Sequence, residues 1–219
     1  MNKKLIEIHE YLLKIWKDEK RIEKLDRSSV GLAMEIAVYA HRNQKRENQE
    51  DYINHPLRVL DNYRLFVGLI PGSYFSIDTD LMFKHKIPYD GVQEVCLLHD
   101  VVEDTDFTIE DIKEIYSEYE LKNFFEMYIE IPLKNITHDK TMNYLEYIGI
   151  CLNNPTSALV KMMDLQDNLR VVDLIKLTEK ELNRATNYLK YIYIINSVYN
   201  FLENAKKYRD EFQENDKNE

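Results

Sequence analysis

A chain of 219 residues is long enough to bury a full core as one domain, and 31% charged and 44% hydrophobic residues with five glycines and five prolines is the profile of a helix-rich globular protein. The net charge of −10 argues against general affinity for nucleic acid or an anionic membrane, since both need a positive field. Cys96 and Cys151 are too few for a disulfide framework, and there is neither a signal-peptide pattern nor an apolar run near the ~20 residues that span a bilayer, so a cytoplasmic location is expected.

Leu5, Ile8, Leu12, Ile15 and Trp16 recur at helical spacing and predict a packing helix over residues 4–25. Ser28 or Ser29 caps a second helix through Leu32, Ile36 and Tyr39, ending near Ala40 and His41. The polar loop 42–51 leads into Tyr52-Ile53-Asn54-His55-Pro56, where Pro56 opens the next helix and sets His55 at its start. Residues 62–90 lose the pattern, and Pro71-Gly72-Ser73 and Pro88-Tyr89-Asp90-Gly91 mark turns in an irregular or partly helical excursion.

Residues 91–105 predict a helix in which Leu97, Leu98, Val101 and Val102 pack while His99, Asp100, Glu103 and Asp104 crowd into six positions. Four-residue spacing sets His99 over Glu103 and Asp100 over Asp104. Burying such groups unpaired costs on the order of several kcal/mol each, so this face calls for a cation or a dedicated set of hydrogen bonds, and a divalent metal is the simplest answer.

Further on, Thr108 and Asp111 cap a short helix through Tyr116, a helix covers residues 121–133, and another runs through Tyr144 and Ile148 to Cys151. Asn153-Asn154-Pro155 ends that helix and opens the next. There Ala158, Met162, Leu165, Leu169 and Val172 form an apolar stripe, while Lys161, Asp164 and Asn168 share another face. Thr178 and Glu181 form a capping box for a long final helix, residues 178–210, followed by a solvated tail from Glu211. His9, His41, His85 and His138 are expected to be solvated, loop or surface residues. With no strand alternation and no Gly-rich phosphate loop, the class is all-α.

In order along the chain, Tyr52-Ile53-Asn54-His55-Pro56, then Leu97-Leu98-His99-Asp100-Val101-Val102-Glu103-Asp104-Thr105, then Val160-Lys161-Met162-Met163-Asp164 with Asn168-Leu169-Arg170, resemble the hydrolase domain of the RelA/SpoT alarmone enzymes. The resemblance covers residues 34–173 and takes in His41-x-x-Gln44-Lys45-Arg46 and Thr137-x-Asp139-Lys140-Thr141. It implies an HD-type helical fold in a single domain, residues 1–219. Because the length leaves no room for synthetase and regulatory domains, it also implies a small, hydrolase-only alarmone hydrolase. Such enzymes cleave the 3′-pyrophosphate from guanosine tetra- or pentaphosphate (ppGpp or pppGpp).

By the same resemblance, His55, His99, Asp100 and Asp164 match the metal ligands, usually of manganese. Two imidazoles and two carboxylates independently suit Mn²⁺, with Zn²⁺ or another divalent ion as the second option. Glu103 and Asp104 match the acidic pair that orients or deprotonates water, with Glu103 as the base. Arg46 matches the arginine packed on guanine. Lys45, Lys140 and Lys161 are candidate phosphate contacts, and Asn168 matches a nucleotide contact one turn from Asp164.

The sequence also departs from the family. Glu47 and Asp51 replace a basic residue and a proline, and acidic groups beside phosphates are unfavourable unless they turn away. The 44 positions from His55 to His99 exceed the usual gap, so residues 62–90 read as an insertion. Two alternatives stay open: hydrolysis of another nucleotide or a phosphorylated cofactor such as NADPH, or a catalytically silent nucleotide sensor, against which Glu103 and Asp104 count.

Overall fold

The computed structural model describes residues 2–16, 28–68, 79–170 and 178–216. In chain order the helices are α1 (Lys3–Trp16), α2 (Ser29–Ala40), α3 (Asn54–Phe66), α4 (Thr79–Lys84), α5 (Val92–Leu98), α6 (Val101–Asp104), α7 (Ile109–Glu118), α8 (Lys122–Phe124), a π-helical turn (Phe125–Ile129), α9 (Glu130–Ile136), α10 (Tyr144–Cys151), α11 (Pro155–Arg170), α12 (Glu179–Tyr199) and α13 (Phe201–Asp216). Among the described residues the only β pairing is an isolated antiparallel bridge between Lys45 and Asp51. The all-α class is therefore as the sequence predicts, and no helix among these residues is long and apolar enough to cross a membrane.

The fold divides into two compact units, Met1–Leu57 with Gly91–His138, and Arg58–Asp90 with Asp139–Glu219. In the first, α2 packs against α5 and α1. Leu32, Ala33, Ile36 and Ala37 of α2 meet a helix α5 in which Val92, Val95, Cys96, Leu97 and Leu98 are all fully buried. Ser28 caps α2 through the Gly31 amide, and Thr108 and Asp111 close a reciprocal capping box on α7, as their spacing predicts.

Gly91 fixes how α5 begins. Its φ is +73°, and a Cβ there would fall 2.5 Å from the Tyr128 carbonyl oxygen. Pro132, four residues after Tyr128, has no N–H to give that carbonyl, and the helix widens into its π turn just ahead of the proline.

In the second unit α11 is the central element, buried from Thr156 through Leu165 and again at Asp167, and packed against α10 and α12. The Asp167 carboxylate has no exposed surface and accepts from Arg58 Nε at 2.7 Å and from its terminal nitrogen at 3.2 Å. Helix α13 buries Phe201, Ala205 and Tyr208 and packs on α4.

Several expectations are corrected. The helix expected over residues 91–105 is two short helices, with His99 and Asp100 between them. Over 62–90 the partly helical reading holds, since α3 continues to Phe66 and residues 79–84 are helical while residues 85–90 are not; residues 69–78 lie outside the described residues. The last helix is two, because Asn200 adopts the left-handed conformation (φ +53°), which asparagine tolerates better than most residues. Nor is the chain simply solvated from Glu211: α13 runs to Asp216, and Glu211 pairs with Lys84 and, at 2.9 Å, with His85. The ends predicted for the first helix (residues 17–25) and for the α11 stripe (Val172) lie outside the described residues.

Candidate metal centre

The break between α5 and α6 presents His99 and Asp100 from a buried helix end. His99 is 2% exposed, and its Nδ1 lies 2.8 Å from the Cys96 carbonyl oxygen. A carbonyl can only accept, so Nδ1 carries a proton, and in the neutral ring Nε2 then offers its lone pair, the arrangement of a histidine ready to bind a metal. That Nε2 is 3.2 Å from Asp100 Oδ1. His55, in the first turn of α3 and also 2% exposed, brings its Nε2 to 3.4 Å from Asp100 Oδ2.

One donor atom from each of His55, His99 and Asp100 falls within 4.8 Å of the others. Burial would raise the Asp100 pKa, but His99 and His55 beside it, when protonated, hold it well below the usual carboxylate range. A neutral imidazole nitrogen and a carboxylate oxygen facing each other are both acceptors, so a proton or a cation must lie between them. Two imidazoles and one ionised carboxylate are the donor set of a divalent ion, and the residues present fit one.

Around this cluster, residues 41–52 fold back on themselves. Arg46 N–H donates to the Glu50 carbonyl at 2.9 Å and Tyr52 N–H to the Gln44 carbonyl at 3.1 Å. The Gln44 amide donates to the Asp104 carbonyl at 2.5 Å, which turns its own oxygen toward His41 Nδ1, also at 2.5 Å. His41 therefore carries its proton on Nδ1, while Nε2 is buried without a hydrogen-bond partner; desolvation lowers its pKa and favours the neutral ring. The His41 ring stacks on Tyr52 at 4.7 Å and 24°, and Tyr52 stands edge-on to His55 at 6.0 Å. The Tyr52 hydroxyl lies 2.8 Å from Asp100 Oδ2 and 2.7 Å from Asp104 Oδ2. Burial and these two carboxylates push its pKa well up, so it remains O–H.

The acidic pair is thus held from two sides. Asp104 is exposed at the end of α6, with its side chain tied to Tyr52, whereas Glu103 Oε2 accepts the His138 backbone N–H at 3.1 Å. In the base-side loop, Lys45 Nζ pairs with Asp51 at 2.7 Å, which neutralises the acidic residue that looked unfavourable there. Glu47 is exposed, and the Arg46 guanidinium lies 5.9 Å from the Tyr52 ring centroid.

The other expected residues belong to the second unit. On α11, Lys161 Nζ donates to Asp164 Oδ2 at 2.7 Å and Asn168 Nδ2 to Asp164 Oδ1 at 2.6 Å, so the three share a face as their spacing predicts. Lys161 is 9% exposed, with Tyr147 and Tyr144 ring centroids 5.0 and 5.6 Å from its ammonium. Burial alone would lower its pKa, but the Asp164 charge raises it well above the ordinary value, so the ammonium persists. Lys140 is exposed.

The histidines expected at the surface are more engaged than predicted. His41 is 2% exposed, His9 Nε2 lies 2.9 Å from the Tyr119 hydroxyl, and His85 pairs with Glu211. Sequence reasoning missed Tyr52 and His41 as parts of the site. Both lie inside stretches that carry the family resemblance, three residues before His55 and three before Gln44, but no role was attached to either.

No family model matches the chain. It is 30% identical over 153 residues to the guanosine-3′,5′-bis(diphosphate) 3′-pyrophosphohydrolase MESH1 of Xenopus tropicalis, a match covering 65% of this chain and 70% of that one. It is 26% identical over 144 residues to MESH1 of Drosophila melanogaster, covering 63% of this chain and 65% of that protein. To the guanosine-3′,5′-bis(diphosphate) 3′-pyrophosphohydrolase of Aquifex aeolicus it is 29% identical over 140 residues, only 17% of that protein's length. A solved structure described as a metazoan orthologue of SpoT that hydrolyses ppGpp superposes with a TM-score of 0.52 and 20% identity, covering 84% of this chain and 95% of that one, and so shares its fold.

Proposed function

The chain belongs to the MESH1 family of guanosine-3′,5′-bis(diphosphate) 3′-pyrophosphohydrolases, and on that premise we propose that it hydrolyses the 3′-pyrophosphate of ppGpp and pppGpp to GDP or GTP and pyrophosphate, in the cytoplasm. The observation that carries the proposal is the convergence of His55 and His99 Nε2 on the Asp100 carboxylate. A bound divalent ion, with manganese as first choice and zinc as second, would acidify a water and offset charge on the phosphoryl group.

The chain's own residues supply the rest. Cys96 fixes the His99 tautomer. Glu103, anchored by the His138 amide, takes the proton of the water whose oxygen bonds to phosphorus as the bond from phosphorus to the ribose 3′ oxygen breaks, the released oxygen takes up a proton from solvent, and Asp104 orients the attacking water. Asp164 as fourth ligand, Arg46 on the base, Lys45, Lys140 and Lys161 on phosphates and Asn168 on the nucleotide enter the proposal through the sequence resemblance.

The test is incubation of the manganese-loaded protein with ppGpp, pppGpp and NADPH, with products resolved by ion-exchange chromatography. GDP or GTP with stoichiometric pyrophosphate is expected from the first two. Phosphate from NADPH alone would move the substrate to a phosphorylated cofactor, and binding without any product would leave a nucleotide sensor.

A further inference from the structure

We propose that Tyr52 is a positioning residue of this centre: its hydroxyl couples the ligand carboxylate of Asp100 to the water-handling carboxylate of Asp104 and holds both in one frame. The inference rests on the function proposed above and adds a residue to it.

A phenol has one proton to donate, yet two carboxylate oxygens lie within its reach, at 2.8 and 2.7 Å. They come from residues 48 and 52 positions further along the chain, and the hydroxyl is where they meet. Asp104 is otherwise an exposed side chain at a helix end, free to sample rotamers that point away from the centre. Asp100 is ligated best when its carboxylate is itself hydrogen-bonded and cannot rotate.

The surrounding loop fixes where that hydroxyl stands. One face of the Tyr52 ring is stacked on His41, its edge meets His55, and its amide is bonded to the Gln44 carbonyl. The Gln44 side chain then bridges His41 to the Asp104 carbonyl, so both ends of the Tyr52–Asp104 contact are anchored through one glutamine. Glu103 has a separate anchor in the His138 amide. Loss of the Tyr52 hydroxyl therefore frees Asp104 and loosens Asp100 while leaving Glu103 where it is.

The experiment uses the full chain with Tyr52→Phe, which keeps the ring and removes only the oxygen. Manganese affinity is read by calorimetry without nucleotide, and kcat and KM for ppGpp at saturating manganese. Outer-shell losses at metal centres cost about 10- to 100-fold. The expected results are a manganese Kd weakened about 10-fold, a kcat lowered at least about 10-fold and a KM within about twofold, with the thermal midpoint unchanged. In an Asp104→Ala background the same change should lower kcat by less than about threefold, because its route through Asp104 is already gone and saturating manganese offsets the loosened Asp100. An unchanged kcat and Kd, or full additivity with Asp104→Ala, overturns the proposal. If the wild-type protein cleaves no alarmone, the functional reading fails, and the positioning role is then judged on the manganese Kd alone, where an unchanged value overturns it.

Discussion

Asp100 in the first unit, half-buried with 17% of its side chain exposed, and Asp164 in the second, buried, are acids with opposite provisions. Asp164, 3% exposed, carries its own cation: the Lys161 ammonium holds one oxygen and the Asn168 amide the other. Asp100 faces two imidazole nitrogens, one of which is an acceptor in the neutral ring because the Cys96 carbonyl takes the proton on its far side. Glu35 on α2 shows a third provision, since burial pushes its pKa up to about 7 and it keeps its proton near neutrality. A metal site is thus recognised by what the neighbours of an acid cannot supply, rather than by the acid itself.

The sharpest way to break this contrast is His99→Ala. Losing a ligand should cost more than the roughly 10- to 100-fold of an outer-shell loss, so ppGpp turnover should fall by more than about 100-fold in a steady-state assay. Asp164→Ala, as the loss of the proposed fourth ligand, should lower turnover as well, and unlike His99→Ala it should also cost stability, because it strands a buried ammonium. Such losses cost about 3–5 kcal/mol, visible as a lowered urea midpoint, and replacing Lys161 with Met in the same chain should recover much of it. Full stability in Asp164→Ala would erase the difference between the two acids.

The smallest effect is expected at Glu35. Its folded pKa lies above that of the unfolded chain, so its contribution to stability is fully present below about pH 4.5 and is lost as the pH rises to about 7. Glu35→Gln should flatten that slope by at most about 3 kcal/mol in denaturant melts at pH 4 and pH 8. An unaltered slope would mean that this carboxyl ionises freely in the folded protein.

What could be read from the sequence was whatever depends on near neighbours or on order. Ser28, Thr108 and Thr178 announce their caps because the partner amide is three residues away. His55, His99 and Asp100 were legible because motif order carries them even though the structure splits the helix expected around His99 and Asp100. The break at His99 and Asp100 was not, since the apolar period runs through it without a breaker. Asn200 is too weak a helix stop to predict from composition. Tyr52 among sixteen tyrosines, and His85 paired with a glutamate 126 positions away, acquire their partners only by folding.

The most direct measurement is calorimetric titration of metal-stripped protein with Mn²⁺, for the wild type and for His55→Ala. One saturable equivalent per chain, lost in the variant, is the expected result. No saturable binding in the wild type, or equal binding in the variant, would contradict a metal centre at His55, His99 and Asp100.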